Sequence, residues 1–97
     1  MLVRLTEVCM NGAVTMPNNY ILREVFINPE HVIMIREEKR IQELNEQGLV
    51  ASELDTAHRF SKLTINRGHA GTEIVVIGAP DTVETKLQQN TNQLLRG

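Results

Sequence analysis

The stretch "RFSKLTINRGHAGTEIVVIGAPDTVETKL", residues 59–87, decides the fold of this chain. Residues 59–66 alternate apolar and polar side chains, which predicts a half-buried strand. Residues 72–77, "TEIVVI", end in an unbroken apolar run that is typical of a central strand covered on both faces. The segment between them, "RGHAG" at 67–71, contains two glycines that can take positive φ without steric cost, as a tight turn needs. The sequence therefore predicts a β-hairpin.

The segment after the hairpin, "GAPDTVE", predicts the start of a helix that reaches about residue 89. Asp81 stands where an N-cap belongs, and Glu84 follows three residues later in the capping-box position. A phosphate cradle needs a glycine-rich loop that runs from a strand into a helix N-terminus. "RGHAG" joins two strands instead, and the loop that does enter the helix carries two carboxylates. We therefore interpret "RGHAG" as a chain reversal and not as an anion site.

Three further strands are indicated in the first third of the chain. "LVRLTEV" (2–8) alternates with period two, and "YILREVFI" (20–27) is rich in β-branched and aromatic residues. "HVIMIR" (31–36) has four consecutive apolar residues, which predicts cover on both of its faces. The Asn-Gly and Pro-Asn pairs of residues 10–19 predict a loop, and "NPE" (28–30) predicts a turn.

Residues 37–58 differ in character and are predicted to form a helical or flexible insertion between the third and fourth strands. "EEKRIQELNEQ" (37–47) consists almost entirely of good helix formers, and Gly48 suits a C-terminal cap. The 37–55 part has six acidic and two basic residues and a thin apolar stripe. Two interpretations stay open: a solvated helical excursion, or an arm that packs against another chain. In the second case the candidate contact residues are Ile41, Leu44, Leu49 and Leu54.

Length and composition indicate one small domain, 1–97. A hydrophobic content of 41% is ordinary for a globular domain, and an aromatic content of 3% means that the core is aliphatic. The net charge of −2 gives no reason to expect nucleic acid or an anionic membrane. The opening "MLVRLTEVCMNG" lacks the features of a signal peptide, and no apolar run is long enough to cross a bilayer. With one cysteine, the chain is expected to be cytoplasmic.

No pattern of chemistry-bearing residues predicts an enzyme, a metal site or a cofactor. The histidines, His31, His58 and His69, lack the spacing of a zinc site, which needs at least three protein ligands. Cys9 has no local signature of a nucleophile and no clear group that would stabilise its thiolate. We therefore expect a non-catalytic protein.

A basic patch offers an alternative function. Arg59, Lys62 and Arg67 lie on or beside the first strand of the hairpin, and such a patch could contact phosphates. Only Phe60 lies nearby, so the stacking platform typical of single-strand binders is missing. We favour a simpler interpretation, in which these cations complement the acidic 37–55 segment within the chain or between two chains.

Together these patterns predict an α+β fold, an antiparallel β-meander of about five strands with a C-terminal helix and a helical insertion between strands 3 and 4. A small sheet with one covering helix leaves an edge or a face to protect. We therefore expect a homo-oligomer or a complex with a protein partner, and a binding or regulatory function. The alternative is a nucleic-acid-binding regulator that uses the basic hairpin.

The order of these elements resembles that of the short flagellar FlbD-like proteins and of similar small bacteriophage proteins. The likeness is carried by "LVRLTEV", "VFINPEHVIMIRE", "SKLTINRG", "TEIVVIG" and "PDTVETKL", and above all by "NPEHVI" at 28–33. It covers about two thirds of the chain and excludes 10–19 and 37–58. The resemblance implies a small β-meander with a terminal helix, no known catalytic residues, and a role as a bacterial or phage accessory protein.

Overall fold

A computed structural model describes residues 2–10, 20–50, 54–68 and 70–96, which form a five-stranded sheet and two α-helices. This confirms the α+β class and the antiparallel five-stranded sheet. The loop predicted at 10–19 lies, from residue 11 on, outside the described residues. In chain order the elements are β1 (Val3–Met10), β2 (Tyr20–Ile27), a 3-10 helix (Pro29–His31), β3 (Val32–Glu37), α1 (Lys39–Glu46), β4 (Phe60–Arg67), β5 (Ala70–Ile77) and α2 (Pro80–Arg96).

The order of the strands differs from the predicted five-stranded meander. It is β2-β1-β5-β4-β3, with every pair antiparallel, so only β3, β4 and β5 form a meander. β1 lies between β2 and β5, and Glu7 is opposite Val76. The physical reason lies in the link between β2 and β3. Proline and 3-10 geometry carry the chain away from β2 there, where a hairpin would have turned it back.

The same link requires the sheet to curl strongly. In a flat sheet, β2 and β3 would be four strand spacings apart, about 19 Å. The link from Ile27 to Val32 includes three 3-10 residues that each advance only about 2 Å, so it spans at most about 13 Å. The start of β3 at one sheet edge therefore approaches the end of β2 at the other. Consistent with this, Val25 at one edge and Val32 at the other pack against the same apolar cluster.

Apolar side chains form a core on each face of the sheet. On the first face, which we call the α2 face, Leu63 and Val76 pack with Val83 and Leu87 of α2. On the opposite face, the α1 face, the buried residues are Val8, Ile41, Val50 and Phe60. Strand alternation explains the division, because residues an odd number of positions apart point to opposite faces. β5 contributes to both cores, so its predicted place as a central strand with apolar residues on both faces is confirmed.

The predicted cover on both faces of the third strand is wrong. The pairing register of β3 with β4 shifts between Val32 and Met34, where one extra residue, Ile33, is accommodated as a bulge. Val32 and Ile35 pack against the core of the α2 face. Ile33 and Met34 are 64% and 44% exposed. The position of a bulge depends on how the strand pairs with its neighbour. The apolar run of β3 alone could therefore not predict the bulge.

The hairpin begins and ends close to the predicted positions, whereas α2 continues to Arg96 and not only to about residue 89. β4 ends at Arg67 and β5 begins at Ala70, and Gly68 has a φ of +78°, so "RGHAG" reverses the chain as predicted. α2 begins at Pro80 and not after Asp81, because proline suits the first helical position, where no N–H is required. The Asp81 carboxylate instead accepts a hydrogen bond of 2.9 Å from the backbone N–H of Thr82.

Candidate protein-contact surface

The four apolar residues predicted as partner contacts lie within the fold. Ile41 is buried in the core of the α1 face and is not exposed at the surface of the chain. Leu44 and Leu54 are half-buried and pack against the same core, and Leu49 is half-buried with its N–H bonded to the carbonyl of Leu44. The apolar stripe of the 37–55 segment thus covers this chain's own sheet.

The basic residues of the alternative hypothesis are engaged by the acidic segment. Arg59 forms an ion pair with Glu37, and the Lys62 ammonium lies 3.2 Å from a carboxylate oxygen of Glu38. The hydrogen bond to Glu37 raises the pKa of Arg59. The predicted complementarity between the basic hairpin and the acidic segment is therefore confirmed for these two residues, and it acts within the chain. The side chain of Arg67 lies outside the described residues.

A second charged cluster surrounds the cysteine on the α2 face. The Arg23 Nε lies 3.1 Å from Oε1 of Glu7, which is a buried carboxylate on the neighbouring strand. Partial burial raises the pKa of the Cys9 thiol, and the adjacent Glu7 raises it further, whereas Arg23 acts in the opposite direction. A catalytic thiol needs a lowered pKa. The environment of Cys9 therefore disfavours a thiolate at neutral pH.

Within the described ranges, no group of three or more His, Cys, Asp or Glu side chains is placed to hold a metal ion. His31 and His58 are exposed and lie on the 3-10 helix and on the turn before β4, and His69 is outside these ranges. None of the helices in the described part of the chain has the length and apolarity needed to cross a membrane.

The surface best suited to a contact is the outer edge of β3. Ile33 and Met34 are exposed there, beside an open groove of about 650 Å³ between β3, the 3-10 helix and α2. We call this the β3 groove. It is lined by Pro29, Val32, Ile33, Met34, Ile35, Glu84, Leu87 and Gln88. Six of these eight residues are apolar, and an apolar partner surface could cover their exposed carbon atoms.

Ile33 and Met34 were not among the candidate contact residues predicted from the sequence. Both lie in a strong apolar run, and such a run is equally typical of a strand buried on both sides. The signal that distinguishes the two cases is the place of β3 at the edge of the sheet, which depends on strand pairing. The "NPE" turn before β3 was the one local hint, because it directs the chain away from β2.

The opposite edge of the sheet, β2, has a different character. It exposes Ile21 and Phe26, which are 44% and 55% exposed, but its middle residues are Arg23 and Glu24. Arg23 pairs with Glu7, and Glu24 lies 3.3 Å from Arg4. Charged side chains in the middle of an edge strand oppose pairing with a further strand. β3 is therefore the more receptive of the two edges.

No protein-family model matches this chain, and neither does any curated protein or solved structure with which it was compared.

Proposed function

We propose that this protein is a non-catalytic binding module that self-associates through the β3 groove. The observation that carries the proposal is the exposure of Ile33 and Met34 on a sheet edge, beside an open groove. An edge strand with exposed apolar side chains gains by being covered, because burial removes apolar surface from water and occupies free backbone groups.

The remaining chemistry is consistent with a binding function. The thiol of Cys9 has a raised pKa. The described cations of the basic patch, Arg59 and Lys62, are already paired with carboxylates. The likeness to FlbD-like and phage accessory proteins, which implies no known catalytic residues, agrees with a regulatory role, and we include such a role in the proposal.

The proposal is tested by measuring the mass of the purified protein by light scattering over a range of concentrations. We expect a dimer, since symmetric dimers are the commonest oligomers. Ile33→Asp is expected to weaken association by at least about tenfold, because a carboxylate would be buried at the contact. Phe26→Asp is the matched control, since Phe26 is similarly exposed but lies on the other edge strand. A monomer at all concentrations, or equal effects of the two variants, would contradict the proposal.

The salt dependence of binding distinguishes this proposal from the nucleic-acid alternative. Apolar association changes little with salt, whereas binding to phosphates weakens steeply as the salt concentration rises. Steeply salt-dependent binding to DNA or RNA that is reduced by Lys62→Ala or Arg67→Ala would favour the nucleic-acid-binding regulator over the self-associating module.

A further inference from the structure

We infer that two copies of this chain join edge to edge through β3, antiparallel about a two-fold axis, with Ile35 opposite Ile35 of the partner subunit. This inference rests on the proposed function and adds to it the occupant of the β3 groove and the register of the contact. It follows from the outward-facing backbone groups of β3, from the faces on which its side chains lie, and from its charges.

The backbone groups that point outward from β3 belong to Ile35 and Glu37. The N–H of Glu38 bonds to the carbonyl of Phe60 at 2.9 Å, so Glu38 bonds toward β4. In an antiparallel ladder, successive residues bond alternately to one side and to the other. Arg36 and Met34 therefore also bond toward β4, and the N–H and C=O groups of Ile35 and Glu37 face the open edge.

A second copy can extend the sheet with regular hydrogen bonds only alongside the part of β3 that follows the bulge. The register with β4 is regular from Met34 to Glu37, and the irregularity lies between Val32 and Met34. Two antiparallel copies in one continuous sheet are related by a two-fold axis perpendicular to it. Such an axis keeps each face on its own side, so one residue must lie opposite its own copy.

Four residues could lie on this axis, and charge and geometry favour one of them. Centring on Arg36 or Glu37 would place like charges directly opposite, which is destabilising. If Met34 lay on the axis, the hydrogen-bonded ladder would reach the bulge after one residue. Centring on Ile35 pairs two apolar residues that exchange two outward hydrogen bonds. It also places Met34 beside Arg36 of the partner subunit, on the face away from α2.

The β2 edge is less suited than the β3 edge to pairing with its own copy. Its middle residues are Arg23 and Glu24, and centring on either one places like charges opposite each other. Moving the axis outward avoids this repulsion but shifts the ladder to one end of β2. The two edges of the sheet thus differ in their capacity to pair with themselves.

The β3 groove supplies the apolar contact. Ile35 lies opposite Leu63, on the α2 face, and lines the groove together with Leu87. In the inferred dimer, Ile35 of the partner subunit enters the open side of this groove. The two grooves then form one shared apolar layer under the two α2 helices, while Glu84 and Gln88 lie at its rim.

Disulfide trapping tests the register. In a Cys9→Ser background, Ile35→Cys is expected to form a symmetric disulfide, because opposite residues of an antiparallel pair have Cα atoms about 5.5 Å apart. Phe26→Cys on β2 is the control. Thiols held together react at an effective concentration in the millimolar range, so at micromolar protein we expect a rate roughly a hundredfold above the control.

A second pair of variants covers the case in which Ile35→Cys disturbs the fold. Met34→Cys and Arg36→Cys, each exposed, are mixed, and their mixture is expected to cross-link faster than either variant alone. A dimer by light scattering in which neither trap exceeds the Phe26→Cys control overturns the inferred register but not the proposed function. A monomer by light scattering overturns both.

Discussion

The Glu7 carboxylate has two neighbours, the guanidinium of Arg23 and the thiol of Cys9, and it affects them in the same direction. It raises the pKa of Arg23 by accepting its hydrogen bond and raises the pKa of Cys9 in addition to the effect of burial. The protonated forms of both the guanidinium and the thiol are therefore favoured. Burial and the Glu7 carboxylate together keep the Cys9 thiol protonated.

Changing Glu7 to glutamine is expected to make Cys9 more reactive. The variant removes the negative charge and leaves Arg23 beside the thiol, so the pKa of Cys9 falls. A fall of one pKa unit would raise the thiolate fraction, and with it the rate of alkylation by iodoacetamide near pH 7.5, by up to about tenfold. The pH at which the rate is half-maximal moves downward. Arg23→Gln is expected to move it upward, and shifts of both variants in one direction would contradict this account.

Helix α1 is fixed to the sheet by a small number of specific contacts. Ile41 enters the core of the α1 face, and Asn45, which is buried, donates a hydrogen bond of 2.9 Å to the carbonyl of Asp55. Glu37 and Glu38, which precede the helix, form ion pairs with Arg59, just before β4, and with Lys62 of β4. Eight residues are too few for a stable isolated helix in water, so these contacts hold α1 in place.

Truncating the apolar contact of α1 is expected to destabilise the whole domain. Ile41→Ala should lower the free energy of unfolding by about 2–5 kcal/mol, because it removes a buried side chain and leaves a cavity. Ile21→Ala is the matched control and should change it by less than about 0.5 kcal/mol, because Ile21 is exposed on β2, outside the proposed contact. Urea unfolding at one protein concentration for all variants measures both. Equal losses of unfolding free energy in the two variants would mean that α1 contributes nothing to the core.

Local patterns in the sequence were sufficient to predict the individual elements. The alternation of 59–66, the glycines of "RGHAG" and the helix formers of 37–47 each predicted the element that forms there. The strand order, the bulge at Ile33 and the burial of Ile41 were missed, because each depends on contacts between residues far apart in the chain. The candidate site was missed for the same reason, since Ile33 is exposed only because β3 has a neighbour on one side.

The whole domain is one sheet with a core on each face. The cores of the α2 face and the α1 face share strands β1, β2, β4 and β5, whereas β3 contributes side chains only to the core of the α2 face. Neither core can be lost without exposing one side of the sheet that supports the other. The domain is therefore expected to unfold in one cooperative transition.

Mutations on opposite faces are nevertheless expected to act independently on stability. Ile27→Val on the α2 face and Ile41→Val on the α1 face should each lower the free energy of unfolding by about 0.5–1.5 kcal/mol. The double variant should lose the sum of the two to within about 0.5 kcal/mol, because the sheet separates the two sites. Chemical unfolding followed by circular dichroism and by intrinsic fluorescence of Tyr20 measures this. Two separate transitions would show that the faces unfold independently.

The charged middle of β2 also limits how far copies of this chain can add to one another. A sheet with two receptive edges is a template for open-ended growth into fibres. Arg23 and Glu24 close one edge to such growth. If two chains join through their β3 edges as we propose, only β2 edges stay open, and we expect the scattering mass to level off at two chains as the protein concentration rises.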